Sequence, residues 1–187
     1  LETHVRDVIG VLEYEDLGEV VLVGHSYGGM VITGVADRVP ERLAQLVYLD
    51  AEVPMDGQSE LDVLPPEERA GYEEAARSKG QGWRIPPPLP LPDDLDPTVR
   101  WVMVRMVPQP LATFAQPLRL TNPAAPEVSR AYVLCTAGKE DQELPEYVQR
   151  ARSDPGWRFV ELAAGHSAHV TASRELVDVL AQLTQPG

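Results

Sequence analysis

The apolar positions of this chain fall into two rhythms. Val5, Val8, Ile9 and Leu12 recur at i, i+3, i+4 and i+7, which predicts one buried face of a helix over residues 1–13. After Gly18 the pattern becomes an unbroken run, Val20-Val21-Leu22-Val23, as in a strand buried on both faces. A glycine-rich turn over 24–29 follows. Met30 to Val39 reads as a helix closed by Pro40, and Leu46-Val47-Tyr48-Leu49 as a second buried strand. Helix, strand, helix, strand in that order predicts an α/β fold, a mostly parallel sheet with crossover helices on its faces.

Between residues 53 and 126 the rhythm is lost, and 14 of the 18 prolines lie there. Helical patches remain. Residues 67–76 are rich in helix formers, and Asp96-Pro97 has the form of an N-cap followed by a first helical residue. The Pro-rich stretch 86–97 reads as a loop. Segment 53–126 is therefore expected to be a small, mostly helical cap inserted between two core segments, 1–52 and 127–187. The α/β rhythm returns with a strand over 131–135, then Leu144, Tyr147, Val148 and Ala151 at helical spacing. A strand over 157–162 follows, and a last helix bearing Leu176, Leu180 and Leu183, with Thr171 or Ser173 as its cap. There is no internal repeat.

Composition narrows the function. A formal charge of −13 opposes binding to nucleic acid or to anionic lipid, which both need a basic surface. No apolar run reaches the roughly 18 residues of a membrane span. Leu1-Glu2-Thr3-His4-Val5-Arg6 is unlike a secretory leader, and the single cysteine, Cys135, excludes an internal disulfide. The reading is a cytoplasmic protein with a small-molecule partner.

Gly24-His25-Ser26-Tyr27-Gly28 fits G-x-S-x-G, and its context gives the motif meaning. A strand ends at Val23 and a helix begins near Met30, so Ser26 stands on a sharp strand-to-helix turn as an exposed nucleophile. Gly24 and Gly28 are expected to be the positions where a Cβ would clash. A serine needs a base. His166 and His169 both follow the last strand, at the carboxyl edge where open α/β sheets gather their sites. His4 is expected at the surface, and His25 to pack the turn. The base needs an acid. Asp50, after the second strand, and Asp141, after the 131–135 strand, both satisfy the order Ser, acid, His. Glu140, Asp141 and Glu143 also suit the N-terminus of the next helix.

The elbow Val21-Leu22-Val23-Gly24-His25-Ser26-Tyr27-Gly28-Gly29-Met30 resembles that of the hydroxynitrile lyase and methyl-salicylate esterase branch of the α/β-hydrolases. Bacterial carboxylesterases and pyrethroid hydrolases share that branch. Leu46 to Ala51 with Pro54, Asp56-Gly57-Gln58-Ser59, Tyr132 to Thr136 and Gly165-His166 are similar to further family segments. The resemblance implies Ser26 as nucleophile, His166 as base and the Tyr27 N–H as an oxyanion donor. Leu144-Pro145-Glu146 resembles the family's Ile-Pro-Glu, and anchoring there puts the acid on Asp141, with a short insertion after Thr136. Asp50 sits where dehalogenase-like relatives carry their acid.

The resemblance implies a serine carboxylesterase for small or medium esters, with no metal and no cofactor. His25, Trp101 and Phe114 are expected at the substrate, and Trp83, Met103 and Met106 as further pocket wall. It leaves room for a homodimer. The rival readings are a cyanohydrin lyase on the same triad and a non-catalytic ligand-binding protein. Lyases of this branch place a lysine near the histidine. Here the next cation along the chain after His166 is Arg174, which favours the esterase. The family also has strands and a His-Gly loop ahead of the helix at residues 1–13. This sequence starts at that helix, so Val20–Val23 is expected at an open sheet edge.

Overall fold

In the computed structural model, residues 1–139 and 143–185 are described. The elements follow one another as α1 (Glu2–Tyr14), β1 (Val20–His25), α2 (Gly28–Arg38), β2 (Leu43–Leu49), α3 (Glu60–Val63), α4 (Pro66–Lys79) and β3 (Arg84–Ile85). Then come α5 (Pro97–Met103), β4 (Gln109–Pro110), α6 (Leu111–Ala115), β5 (Ser129–Cys135), α7 (Glu146–Ser153), β6 (Trp157–Leu162), α8 (Ala168–Thr171) and α9 (Ser173–Leu183).

Four strands form a parallel sheet in the order β1-β2-β5-β6. Alternation along the central strands sends side chains to opposite faces. Leu46, Tyr48, Tyr132 and Leu134 pack with Met30 and Val35 of α2, Val5 and Leu12 of α1 and Val148 of α7. Val47, Leu49, Ala131, Val133 and Cys135 pack on the other face with Leu176 and Leu183 of α9. Covering both faces is what makes the central strands read as unbroken apolar runs. Helices α1 and α2 touch at Gly34, where a Cβ would lie 2.7 Å from Val5 Cγ2. Strand β1 lies at the sheet's edge, as expected, and for that reason Val20 to Leu22 are half-covered and Val23 exposed instead of buried on both faces as their apolar run alone suggests. Helix α9 is capped by Ala172, with no side-chain hydrogen bond, in place of Thr171 or Ser173.

The insertion holds α3 to α6 and also a two-stranded antiparallel pair, β3 with β4. Asp96 caps α5 as expected, accepting from the N–H groups of Thr98 and Val99 at 2.8 and 3.1 Å. The two ends of the insertion are tied to each other. Gly57 N–H donates to Leu118 O at 2.9 Å, and Leu118 N–H to Gln58 O at 2.8 Å. Asp37, buried at the end of α2, fixes the exit: its Oδ1 accepts from Thr121 N–H at 2.7 Å and Asn122 N–H at 2.9 Å. No helix among the described residues is long and apolar enough to cross a membrane.

Candidate active site

Strand β1 ends at His25, and helix α2 starts at Gly28. Ser26 makes the turn between them with φ +54°, a left-handed conformation that costs a non-glycine residue about 1–3 kcal/mol. The turn is held by Gly29 N–H to Ser26 O (2.9 Å) and Met30 N–H to Tyr27 O (3.0 Å). Of the two glycines expected to be tight, Gly24 is and Gly28 is not. A Cβ on Gly24 would lie 2.6 Å from Gly28 O, but one on Gly28 would meet nothing within 4 Å. The second tight position is Gly29, where a Cβ would lie 2.0 Å from Glu52 O. The elbow therefore packs its second helical residue against the chain leaving β2.

Asp50 ends that neighbouring strand, also in a left-handed conformation (φ +45°). Its carboxylate is almost fully buried, and Oδ2 lies 2.7 Å from His166 Nδ1. Cys135 N–H donates to Oδ1 at 3.2 Å, and Lys139 Nζ reaches both oxygens at 2.6 and 2.7 Å. Burial alone would raise the pKa of Asp50. The hydrogen bonds from His166 and Lys139, with the charge of Lys139, outweigh it and hold the carboxyl below its ordinary value. Asp50 thus presents a carboxylate whose ionised form is favoured under the imidazole. With Nδ1 engaged, Nε2 of His166 is left for proton transfer. Among the described residues no hydrogen bond yet joins His166 to Ser26 Oγ, a contact often loose before substrate binds.

Three imidazoles meet at this point. The His25 ring lies 4.4 Å from that of His166 and 4.7 Å from that of His169. His25 Nε2–H donates to the His166 carbonyl at 2.7 Å, so His25 fastens the base's loop to the elbow. Burial, then the neighbouring imidazole, pushes the pKa of His25 down to about 4 and keeps it neutral.

Tyr27 stands at the N-cap of α2, at the positive end of the helix. Its ring stacks on Phe114 of α6 at 5.0 Å, and its hydroxyl donates to Thr113 O at 3.4 Å. The hydroxyl also pairs with His4 Nδ1 at 3.0 Å, so His4 is a partner of the elbow and not the free surface group expected. Trp101 is half exposed on α5, with the Arg105 guanidinium over its ring; Trp83 and Met106 are exposed as well. Of the expected aromatic wall, Phe114 is the member that reaches the elbow. A groove of about 590 Å³ lies elsewhere, lined by Val53, Leu64, Leu144, Tyr147 and Arg150 among others, and by none of Ser26, Asp50 and His166.

Asp141 lies outside the described residues. The carboxylate that meets His166 in the described structure is Asp50. Sequence reasoning missed Lys139, since it measured the distance of cations from His166 along the chain. Lys139 is brought to Asp50 across 89 positions by the β5 loop. A cation therefore does stand beside the Asp50–His166 pair, neutralised by Asp50. Glu52 and Glu60, both buried, were also missed.

A family model described as the alpha/beta hydrolase family matches residues 1–179. A carbendazim hydrolyzing esterase from Nocardioides sp. (strain SG-4G) is 42% identical over 191 residues, spanning 98% of this chain and 78% of that protein. Among solved structures, an extracellular α/β-hydrolase from a Paenibacillus species superposes with a TM-score of 0.75 at 23% identity, covering 98% of this chain and 78% of the other. A pyrethroid hydrolase from Sphingobium faniae JZ-2 gives 0.64 at 24% identity, with coverage of 95% and 74%. At such identities the two structures bear on the fold alone.

Proposed function

Since the chain belongs to the α/β-hydrolase family and is a carboxylic ester hydrolase within it, we propose that it cleaves small or medium esters through an acyl-enzyme on Ser26, with His166 as base and Asp50 as acid. The contact of Asp50 Oδ2 with His166 Nδ1 at 2.7 Å carries this reading. A buried anion on Nδ1 fixes the tautomer with a bare Nε2 and stabilises the imidazolium that forms when Nε2 accepts a proton.

Ser26 Oγ attacks the ester carbonyl as His166 Nε2 takes its proton. The carbonyl oxygen becomes an oxyanion, which the Tyr27 N–H and the positive end of α2 stabilise. The C–O bond to the alcohol breaks, and His166 returns the proton to the departing alkoxide. Water then attacks the acyl-Ser26 ester, again losing its proton to His166. The acid leaves and Ser26 regains its hydrogen. Phe114, stacked on Tyr27, forms apolar wall beside the elbow. The buried single cysteine fits a cytoplasmic location.

A fluorophosphonate probe and p-nitrophenyl acetate test the reading together. The probe is expected to label Ser26 alone, and Ser26→Ala to abolish both labelling and turnover. Labelling or turnover that survives Ser26→Ala refutes it. Carbendazim, named for the 42%-identical relative, is the next substrate to assay.

A further inference from the structure

Asp50 makes one contact that the reaction just described does not use. Its side chain is 2% exposed, and a carboxylate so buried beside a neutral imidazole carries a charge that needs an answer. Lys139 supplies it. Its Nζ donates to Oδ1 at 2.6 Å and to Oδ2 at 2.7 Å, while its side chain stays 32% exposed, so the ammonium keeps part of its water. Oδ2 is also the oxygen that meets His166 Nδ1 at 2.7 Å. The carboxylate is thus held between the lysine and the imidazole, with the Cys135 N–H on Oδ1 at 3.2 Å as a further donor.

The backbone delivers Lys139 to this place. Thr136 to Lys139 form a turn closed by Lys139 N–H to Thr136 O at 3.1 Å, with Gly138 third at φ +83°, a conformation that favours glycine. The same turn is bonded to the chain leaving β6 toward His166: Thr136 N–H donates to Leu162 O at 3.0 Å and Ala137 N–H to Ala164 O at 3.1 Å. Lysine and histidine therefore reach Asp50 from two loops tied to each other. The other titratable groups about the pair do not compensate its charge. His25 of the elbow is kept neutral by burial, and His169 of α8 faces His25 at 4.7 Å. Glu52, after β2, interacts with both members and adds negative charge when ionised. Cys135, Tyr132 and Tyr147 interact with Asp50 but are pushed up by burial and stay neutral. Among the described residues, Lys139 is the lysine or arginine that touches Asp50.

We propose that Lys139 is a positioning residue for ester hydrolysis: it compensates and orients the Asp50 carboxylate while His166 is neutral, and so keeps His166 Nε2 free to act as base toward lower pH. On the esterase reading, on which this role rests, removing the ammonium leaves a buried carboxylate whose unanswered charge holds a proton on the Asp50–His166 pair and blocks the base.

Turnover and a titration that needs no turnover test this separately. With p-nitrophenyl acetate, Lys139→Met is expected to lower kcat about tenfold with KM unchanged. It is also expected to move the acid limb of the kcat/KM profile up by about one pH unit, and Lys139→Arg, which keeps the charge, to restore that limb. In the Ser26→Ala protein the His166 ring is followed through pH by NMR, its signal assigned by its loss in His166→Gln. The midpoint is expected to rise by about one pH unit on adding Lys139→Met and to return with Lys139→Arg. If Lys139→Met fails to fold, Lys139→Gln gives the same readouts. A midpoint that rises in a protein that cleaves no ester keeps the lysine's hold on the pair and removes the esterase reading. Ser26-dependent cleavage with limb and midpoint both unmoved keeps the esterase and overturns the role of Lys139. A fall in kcat with both unmoved marks a merely structural contact and overturns it as well.

Discussion

The sheet-bearing segments and the insertion between them are held by different kinds of contact. Strands β2 and β5 and helix α2 are buried nearly throughout and meet through apolar side chains on two faces. The insertion has few fully buried apolar side chains, among them Leu61, Ala76, Ile85 and Leu118, and relies on polar straps such as Asp37 to Thr121 and Gly57 to Leu118. All three proposed triad residues stand on loops of the sheet-bearing part. Glu60 stands on the insertion, and Glu52 on the joint. A part buried through apolar contacts and a part strapped by polar ones should therefore respond differently to substitution.

The largest effects belong to the sheet-bearing part. Ser26→Ala and His166→Ala are each expected to lower kcat by about 10⁴–10⁶ with p-nitrophenyl acetate, with little loss of stability. Asp50→Asn is expected to cost about 10³–10⁴ in kcat, and Asp141→Asn much less. The reverse order would move the acid to the loop after β5 and make Asp50 a structural anion for Lys139. At the joint, Gly29→Ala forces a Cβ toward Glu52 O and is expected to destabilise by about 3 kcal/mol in urea unfolding.

Within the insertion the effects should be smaller and should spare turnover of simple esters. Asp37→Ala leaves two N–H groups of the exit strap unmatched and is expected to cost about 2 kcal/mol, read by the same unfolding experiment. Glu60→Gln sharpens the comparison through pH. Glu60 keeps its proton to about 9 when folded, against 4.5 ordinarily. Between those values the folded chain binds more protons than the unfolded one, so stability falls as pH rises. The glutamine variant escapes that loss. Its Tm is expected to exceed the parent's by about 3–5 °C at pH 8 and to match it near pH 4. A gain independent of pH would show that Glu60 is not a buried acid.

What could be read in the sequence follows the same division. The strands of the sheet announce themselves because burial on both faces leaves no polar position in Leu46 to Leu49 or in Ala131 to Cys135. Ser26 is legible because the elbow needs glycine at particular distances, although the second close approach falls on Gly29 and not Gly28. Asp96 is legible because a cap is a local device. The β3–β4 pair is not, being two residues per strand with Pro110 in one of them. Nor are the contacts of His4 with Tyr27 or of Lys139 with Asp50. They join residues 23 and 89 positions apart, and no local pattern encodes them. The apolar run of β1 could not itself tell edge from centre, since such a run looks the same in both places; the expected edge position came from the family resemblance.

The order β1-β2-β5-β6 also sets a span that the histidine loop has to bridge. With roughly 4.8 Å between neighbouring strands, the end of β6 lies about 14 Å from the end of β1, while the end of β2 lies one step from it. The serine and Asp50 are therefore adjacent by construction, and the base alone arrives from afar, on an arm of chain that must fold back over β5. Two backbone bonds root that arm, Ala164 N–H to Leu162 O at 2.7 Å and Ala137 N–H to Ala164 O at 3.1 Å. Its tip is moored to the elbow by the His25 bond to the His166 carbonyl. Sliding β6 by one residue against β5 would displace the arm by about 3.3 Å along the strands and carry the imidazole off both its partners. The alignment of the outermost strand, remote from the serine, is in this sense the focusing adjustment of the whole site.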